Sequence, residues 1–333
     1  MSGNGVIASI ILPAFNAAAY IDEALDSAMR QTERQIEIVV IDDCSTDDTR
    51  ERVRAAADRD GRVRLLQMAA NGGPAAARNR GINAAHGAWI APLDADDRIE
   101  PDRIRCLVAV AEQHGADIIA DNLLLCREDG LEPPQRLIPA EILSAPRNLT
   151  AAEFVERNVG GGRSARTSFG FLTPMFRRAF LEANAIRYDE RNRFGEDFMF
   201  YMRCLTHGAN WWLTPEPTYI YNVRPGSLTE VQSPADLHRI RSMDRALLAD
   251  PRIANDDRLR TALRRHAEAI DRCYYYRKFT DAVKQRRFPD AARVLLEGPS
   301  SIRHVVAESV VQAPTIAAKA LRGGYRRGRA RDG

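Results

Sequence analysis

Residues 36–60 read IEIVVIDDCSTDDTRERVRAAADRD, and this stretch decides the fold class. It begins with a mostly β-branched, apolar run typical of a buried strand and continues with residues of helical periodicity. The same alternation recurs on both sides of it. Apolar runs predict four strands, Ile7 to Pro13, Ile36 to Asp42, Val63 to Met68 and Ala88 to Leu93. Strands that alternate with helices predict an α/β fold with a doubly wound, mainly parallel sheet.

In such sheets ligands bind beyond the carboxyl ends of the strands, so the residues that follow each strand are the candidate site. The first predicted strand is followed by PAFNAAAY, residues 13–20, which contains no glycine. A dinucleotide-binding turn needs GxGxxG and a phosphate-binding P-loop needs GxxxxGK[ST]. Nicotinamide dehydrogenases and P-loop kinases are therefore excluded.

The second and third strands are followed by polar turns. In IDDCSTDDT, residues 41–49, we expect Asp47 to cap the next helix. Asp42, in the last turn of a buried strand, needs a hydrogen-bond donor, and a nucleobase N–H is one candidate. In NGGPAAARNRG, residues 71–81, the paired glycines permit a tight turn before a helix. Arg78 and Arg80 then lie on different helix faces, so one could face the cleft or both could be solvated.

The fourth strand is followed by three carboxylates within four residues, Asp94, Asp96 and Asp97. Like charges this close repel one another at the end of a low-dielectric sheet. A polar turn before the helix that starts near Pro101 is one explanation. A divalent cation is the other, because Mg²⁺ in phosphate chemistry takes one or two protein carboxylates together with substrate phosphates.

Composition limits the protein class. The chain has 333 residues, 45% of them hydrophobic, which is enough for one large domain and an appendage. Five scattered cysteines without metal-ligand spacing favour a reducing cytosol, and we expect neither a signal peptide nor a membrane span. The net charge is +3, but six of the residues from Lys319 onward are basic and one is acidic. The basic excess is a property of the tail.

Five motifs together resemble family 2 glycosyltransferases with the GT-A fold. They are ILPAFN (11–16), VVIDDCSTDDT (39–49), NGGPAAARNRGI (71–82), LDADDRIEPDRI (93–104) and GEDFMFYMR (195–203). The resemblance covers about the first 230 residues. It implies transfer of a sugar, with inversion, from a nucleotide diphosphate sugar to a saccharide or lipid-linked saccharide. It also implies Mg²⁺ or Mn²⁺ as cofactor. We expect no nucleic acid partner, because Tyr325 is the only aromatic residue of the basic tail and is too little for base stacking.

The resemblance assigns roles to individual residues. Asp197 would be the catalytic base, Glu196 would contact the acceptor and Asp96 would hold the metal. The nucleotide sugar would be bound by Pro13, Ala14, Phe15, Asn16, Asp42, Asp43, Gly73, Arg78, Asp94, Ala95 and Arg224. Because consecutive helical residues point about 100° apart, we expect only one of Glu196 and Asp197 to face the anomeric carbon.

Two positions depart from the family pattern. Phe15 replaces a common tyrosine, which removes a hydroxyl group but keeps a stacking face. Arg224 stands where many relatives have a histidine; arginine cannot bind a metal but can pair with a diphosphate. With Asp42 accepting from the base and Arg78 near a base carbonyl, we expect a UDP-linked donor.

The predicted organisation is a nucleotide-sugar half over residues 1–120, an acceptor half with the ED motif over 121–232, and a helical extension with a basic tail over 233–333. The glycine-rich loop VGGGRSARTSFGF, residues 159–171, could order over the substrate. We expect a cytoplasmic protein whose basic tail makes weak peripheral contact with an anionic membrane surface.

Two other functions remain open. A nucleotidyltransferase would need a glycine-rich basic loop after the first strand, which this chain lacks. A catalytically inactive nucleotide-sugar-binding module is disfavoured because both the DAD and the ED residues are present.

Overall fold

The structure is a computed structural model, and it describes residues 5–127, 132–159, 168–192, 195–224, 233–297 and 300–310. The centre of the predicted substrate loop, residues 160–167, and the basic tail lie outside the described residues. So does the part of the Arg224 motif from residue 225 onward.

The first part of the chain forms parallel strands in the order β3-β2-β1-β4. The strands are β1 (Ala8–Ala14), β2 (Ile36–Asp42), β3 (Val63–Gln67) and β4 (Trp89–Pro92). The helices between them are α1 (Ile21–Met29), α2 (Thr49–Arg59) and α3 (Gly73–Ala84). All four predicted strands are confirmed to within one residue at each end, because buried β-branched runs mark them clearly.

The same sheet continues through the second part of the chain. β9 (Met175–Arg177) lies antiparallel between β4 and β6 (Ile118–Arg127), and β6 pairs in parallel with β10 (Trp211–Val223). Three two-residue strands add antiparallel edges, namely β5 (Arg98–Ile99), β7 (Gln135–Arg136) and β8 (Arg147–Asn148). The predicted boundary between the two halves, at residue 120, falls inside β6.

Helices cover the sheet and form the predicted C-terminal extension. The remaining helices are α4 (Arg103–His114), α5 (Ala151–Glu156), α6 (Arg178–Ala183), α7 (Glu196–Thr206), α8 (Pro234–Leu248), α9 (Asp257–Lys284), α10 (Phe288–Leu296) and a last helix over 300–310. Leu259 and Leu263 of α9 are buried in the main core, so the extension shares that core. No helix in the described parts of the chain is both long and apolar enough to cross a bilayer.

The start of α2 differs from the prediction by one residue. Asp48, and not Asp47, occupies the N-cap position, and its side chain makes no capping hydrogen bond. The Asp47 carboxylate instead accepts from the N–H groups of Thr49 and Ala18, at 3.1 and 3.0 Å. Asp47 therefore joins the first turn of α2 to the loop after β1.

A buried ion pair lies under the carboxyl end of the sheet. The Arg103 guanidinium donates to both carboxylate oxygens of Asp121 on β6, at 2.9 to 3.2 Å, and both side chains are fully buried. Thr218 of β10 also donates to Asp121, at 2.6 Å. Because the pair is also hydrogen-bonded, the cost of burying its charges is offset, and it ties α4 to two strands.

The start of β4 leaves no room for a side chain at residue 87. A Cβ atom on Gly87 would lie 2.5 Å from the Ser9 nitrogen and 2.6 Å from the Ala8 carbonyl carbon, both main-chain atoms of β1. We expect Gly87→Ala to lower the free energy of unfolding by at least ~2 kcal/mol, because strand backbones would have to move apart. Urea denaturation followed by circular dichroism measures this change in the free energy of unfolding.

Gly61 is the matched control, because a Cβ atom there would meet nothing within 4 Å. Gly61→Ala should stay within ~0.5 kcal/mol of the parent. Equal stability of the two variants would show that β1 and β4 are not packed as described.

Candidate active site

The turns that follow the first two strands are joined by hydrogen bonds. Asn16, directly after β1, adopts a left-handed conformation with φ of 49°, and its side-chain oxygen accepts from the Thr46 N–H at 2.8 Å. Its own N–H donates to Ser45 at 3.0 Å. The Phe15 ring beside it is half exposed. An exposed aromatic ring at the carboxyl end of a strand offers a stacking face for a flat ligand.

Asp42 and Asp43 have different partners. Asp42 is buried at the end of β2, where it accepts from the Ser45 N–H at 3.2 Å and lies 3.9 Å from the Arg50 Nε. Asp43 accepts from the N–H groups of Gly72 and Gly73, both at 2.8 Å. Gly73 has a φ of +81°, which glycine adopts without strain. Asp43 therefore shapes the turn that starts α3.

Arg78 of α3 is the residue around which the predicted site is assembled. Its guanidinium is buried and lies 2.9 Å from Asp94, 3.2 Å from Glu196 and 3.7 Å from Asp197. Burial lowers the pKa of Arg78, but the carboxylates outweigh it and hold that pKa well above its ordinary value. Arg80 is exposed. Of the two arginines, Arg78 is therefore the one that contacts the carboxylates after β4 and at the start of α7.

Asp197 and Glu196 begin α7, directly after Gly195, which has a φ of +73°. Burial is the largest influence on the pKa of Asp197; Arg78 opposes it, Glu196 and Asp94 add to it, and the net result is a pKa raised to about 7. Both carboxylates contact Arg78, but the Asp197 side chain is 32% exposed and that of Glu196 only 12%. Asp197 is the one that a substrate can reach more easily, with a pKa suited to accepting a proton near neutrality.

The aspartate turn after β4 is held by β10. The Tyr219 hydroxyl donates to Asp97 at 2.9 Å and accepts from the Asp94 N–H at 3.2 Å. Asn222 donates its N–H to Asp97 at 2.9 Å and its side-chain amide to the Asp96 carbonyl at 2.6 Å. Burial and then the charges of Asp94 and Asp96 raise the pKa of Asp97 well above its usual range.

The three aspartates therefore differ in role. Asp97 is buried in the turn, while Asp94 and Asp96 remain partly exposed. Sequence reasoning missed Tyr219, whose only signal was its place in the apolar run TYIYNV.

Arg224 occupies a position beside the predicted metal ligand. Its guanidinium lies 3.2 Å from the Asp96 carboxylate and 3.3 Å from the centroid of the Tyr20 ring. Burial and Asp94 raise the pKa of Asp96, whereas Arg224 lowers it. Stacking on Tyr20 and pairing with Asp96 fix the guanidinium at the mouth of the site.

The residues present fit a divalent cation of the phosphate-bound kind. Within the described residues no group of three or more His, Cys, Asp and Glu side chains could enclose a metal. Asp94 and Asp96 are partly exposed and separated only by Ala95, and the charge of Asp94 adds to burial in raising the pKa of Asp96. Two carboxylates suit Mg²⁺ or Mn²⁺ when a diphosphate supplies further oxygen ligands.

The C-terminal helices pack against the helix that carries Asp197. The Phe198 ring stacks on His266 of α9 with centroids 4.9 Å apart, and His266 Nδ1 lies 2.9 Å from the buried Asp244 of α8. Met199 packs against an apolar cluster of α8 and α9 that includes Ile240. The extension thus supports the start of α7.

Comparison with known proteins agrees with this arrangement. The family described as "Glycosyl transferase family 2" matches residues 9–182. The chain belongs to glycosyl transferase family 2. The match contains the ends of β1, β2 and β4 and the start of α3, which together carry most of the nucleotide-sugar residues expected above.

Two relatives of this family 2 chain come from Rhizobium meliloti (strain 1021). "Succinoglycan biosynthesis protein ExoO" is 34% identical over 93% of this chain and 87% of its own length. "Succinoglycan biosynthesis protein ExoU" is 37% identical over 89% of this chain and 85% of its own length. Both alignments extend beyond the family match into the helical extension. The prediction that the chain is a glycosyltransferase is confirmed.

Solved structures confirm the fold of this family 2 member. S. aureus TarS 1-349 in complex with UDP-GlcNAc has a TM-score of 0.68 at 22% identity, over 90% of this chain and 81% of that one. The mannosyltransferase PcManGT from Pyrobaculum calidifontis, in complex with GDP-Man and Mn²⁺, has a TM-score of 0.57 at 16% identity, over 94% and 81%. The predicted GT-A fold with a helical extension is confirmed.

The raised pKa of Asp197 predicts a variant that is more stable than the parent. That pKa is about 7 in the folded chain and 3.8 ordinarily, so between these values only the unfolded chain releases the proton. The parent therefore loses stability as the pH rises through this window. Asp197→Asn has no proton to release. Because a third of the side chain is exposed, we expect a gain on the order of 1 kcal/mol at about pH 8.

Thermal or urea unfolding between about pH 5 and pH 8 measures this gain, which should grow with pH. Asp58→Asn, on the exposed side of α2, is the control and should show no such growth. A stability difference for Asp197→Asn that stays flat or shrinks as the pH rises would contradict the assignment.

Proposed function

We propose that the chain is an inverting glycosyltransferase that moves a sugar from a UDP-linked donor to a hydroxyl group of a saccharide or lipid-linked saccharide. The observation that carries the proposal is the contact of Arg78 with Asp94 on one side and with Glu196 and Asp197 on the other. This contact joins the expected donor residues to the expected base. The names of the two Rhizobium relatives support a role in polysaccharide synthesis.

Asp197 is the proposed general base. The acceptor hydroxyl group has a high pKa, so its proton must leave as its oxygen attacks the anomeric carbon. The proton passes to the Asp197 carboxylate, the new glycosidic bond forms, and the bond to the diphosphate breaks on the opposite face of the sugar. This single displacement inverts the anomeric configuration. A pKa of about 7 leaves much of Asp197 ionised near neutrality yet basic enough to take the proton.

Glu196 is proposed to influence the acceptor through Arg78 and Asp197 and not by direct contact. Its carboxylate is mostly buried against Arg78, and its charge helps to raise the pKa of Asp197. Removing the charge of Glu196 should therefore reduce turnover less than removing the carboxylate of Asp197.

The leaving diphosphate needs positive charge. Asp96, assisted by Asp94, would hold Mg²⁺ or Mn²⁺, which when bound compensates the charge that develops on the diphosphate. Arg224 lies within 3.2 Å of Asp96 and is proposed to pair with the diphosphate. Stacking on the Tyr20 ring would keep the Arg224 guanidinium in place when it exchanges Asp96 for the diphosphate.

For the nucleotide, we propose that the Phe15 ring contacts the base and that Asp42 accepts from a base N–H. The Asp42 carboxylate has one described hydrogen bond, from the Ser45 N–H, and its second oxygen is 3.9 Å from Arg50 Nε, so it retains accepting capacity. Pro13, Ala14, Asn16 and Gly73 would line the pocket with main-chain groups. The protein is proposed to work in the cytoplasm.

Asp197→Asn should reduce turnover at least ~10²-fold while donor binding changes little, because the amide keeps the shape of the carboxylate but cannot accept the proton. Release of UDP in the presence of an acceptor measures turnover, and calorimetry measures donor binding. Glu196→Gln is the matched neighbour and should be milder. Near-normal turnover of Asp197→Asn together with an inactive Glu196→Gln would move the base to Glu196.

We expect UDP to bind more tightly than GDP or dTDP, with the Asp42 carboxylate accepting from the N3–H of the base. Because thymine carries the same N–H and carbonyl groups as uracil, the comparison with dTDP tests whether the site has room for the extra methyl group. Isothermal titration of the parent and of Asp42→Asn with the three nucleotides measures this preference. The variant should lose the preference for UDP more than it loses diphosphate affinity. Tighter binding of GDP than UDP to the parent would contradict the donor proposal.

Asp96→Ala should abolish metal-dependent turnover, because the charge of the leaving diphosphate is then poorly compensated. Arg224→Ala should cost less, since the metal remains. Turnover is measured across a Mn²⁺ titration. Equal losses in both variants, with no metal dependence in the parent, would show that positive charge is supplied by other groups.

A further inference from the structure

The last described helix, residues 300–310, has the reverse of the usual polarity. Its buried side chains include three polar ones, Ser301, His304 and Glu308. Apart from Arg303, its exposed large side chains are aliphatic, namely Ile302 (49% exposed), Val306 (58%) and Val310 (70%). A helix on the surface of a soluble protein normally turns its apolar stripe inward.

Specific contacts hold the polar side of this helix against the body. The Ser301 hydroxyl donates to the Leu295 carbonyl at 2.9 Å, and the His304 ring lies parallel to Tyr275 of α9 with centroids 5.9 Å apart. Burial, and then the nearby charge of Glu308, raise the pKa of Cys273 to about 11, which places Glu308 close to α9 as well. The inner side of the helix is therefore held by these polar residues together with the buried Val305.

The three aliphatic residues form one stripe, which we call the outer face: Ile302, Val306 and Val310. They stand four residues apart, so they lie one above another along the helix. α10, which packs on the same helix α9, also exposes Phe288 (63%) and Leu296 (81%). Large exposed apolar side chains concentrated in one region mark an interaction surface more often than chance exposure.

Charge distinguishes this end of the chain from the rest. Residues 284–333 contain eleven Lys and Arg against four Asp and Glu, a net charge of +7. Since the whole chain carries +3, residues 1–283 carry −4. In the described part, Glu308 is buried, while Arg303 is exposed next to Ile302. Exposed aliphatic residues thus occur where the positive charge is concentrated.

We propose that the outer face docks on the surface of an anionic lipid bilayer, with its aliphatic side chains in the interface and the surrounding arginines paired with lipid headgroups. Helices that lie in a membrane interface combine an apolar stripe with basic flanks. Each engaged basic residue adds to binding at an anionic surface, and the negative remainder of the chain is repelled from it. The chain should therefore dock with its outer face toward the bilayer and residues 1–283 away from it.

A second copy of this chain is the main competing occupant. A symmetric dimer through the outer face would bring two chain ends with exposed positive charge together, such as Arg303 beside Ile302 in each copy, which opposes association. An anionic bilayer removes that repulsion and also accepts the apolar side chains. The charge distribution therefore favours the bilayer.

The test is cosedimentation of the full-length chain with vesicles of phosphatidylcholine alone or with about a third phosphatidylglycerol. The parent should bind the anionic vesicles and bind the neutral ones only weakly. Ile302→Asp/Val306→Asp should lower partitioning onto anionic vesicles at least ~10-fold, because it removes two apolar anchors and adds two negative charges. Ile302→Ser/Val306→Ser separates the apolar contribution from the charge, and should still lower partitioning several-fold.

Ile142→Asp, at an exposed aliphatic position between β7 and β8, is the matched control and should bind like the parent. Sugar transfer to a soluble acceptor, measured without vesicles, should be unchanged in all variants, so failure of the proposed function is seen separately. Three results would overturn the proposal: no binding of the parent at low salt; equal binding of the parent and the serine variant, which would assign attachment to the tail alone; or a parent dimer in light scattering that the aspartate variant dissociates.

Discussion

The buried guanidinium of Arg78 joins parts of the chain that are far apart in sequence. It lies on α3, five residues after Gly73, whose turn is fixed by Asp43. It contacts Asp94 after β4 and two carboxylates at the start of α7. The single positive charge of Arg78 contacts three carboxylates, so the charge of none of them is fully compensated. The arrangement holds the expected donor and acceptor sides together while leaving a carboxylate, Asp197, with a pKa of about 7.

The rest of the structure keeps this charge cluster in place. Tyr219 and Asn222 of β10 hold the aspartate turn, and the pair of Arg103 and Asp121 anchors α4 beneath it. On the other side, Phe198 packs between the core and His266 of the helical extension. The extension therefore belongs to the architecture of the site, because α7 is held by it as well as by the sheet. Like charges retained in such a place lower stability and are expected where function needs them.

Local patterns explain why much of this was predictable. Buried β-branched runs located the first four strands, and the residues after β4 were recognisable because carboxylates rarely cluster at the end of a buried strand. The two carboxylates at the start of α7 were recognised only from the resemblance to the family motif. Helical periodicity alone could not decide between Arg78 and Arg80, since both lie on one helix; the resemblance assigned Arg78, and its contacts with α7 are visible only in the structure. Tyr219, Tyr20 and the pair of Asp244 and His266 carried no local signal. Their roles depend on contacts across the fold, and the same holds for the burial that separates Asp97 from Asp94 and Asp96.

The most direct measurement is the titration of the Asp197 carboxyl group by ¹³C NMR, with the Asp197→Asn spectrum identifying its resonance. The account predicts a midpoint near 7 in the parent, as burial and neighbouring carboxylates require. It also predicts a higher midpoint in Arg78→Met, because the opposing positive charge is then lost. A midpoint near the ordinary value of 3.8 in the parent, or one that does not respond to the loss of Arg78, would contradict the central claim that burial, Arg78 and the neighbouring carboxylates set the pKa of Asp197.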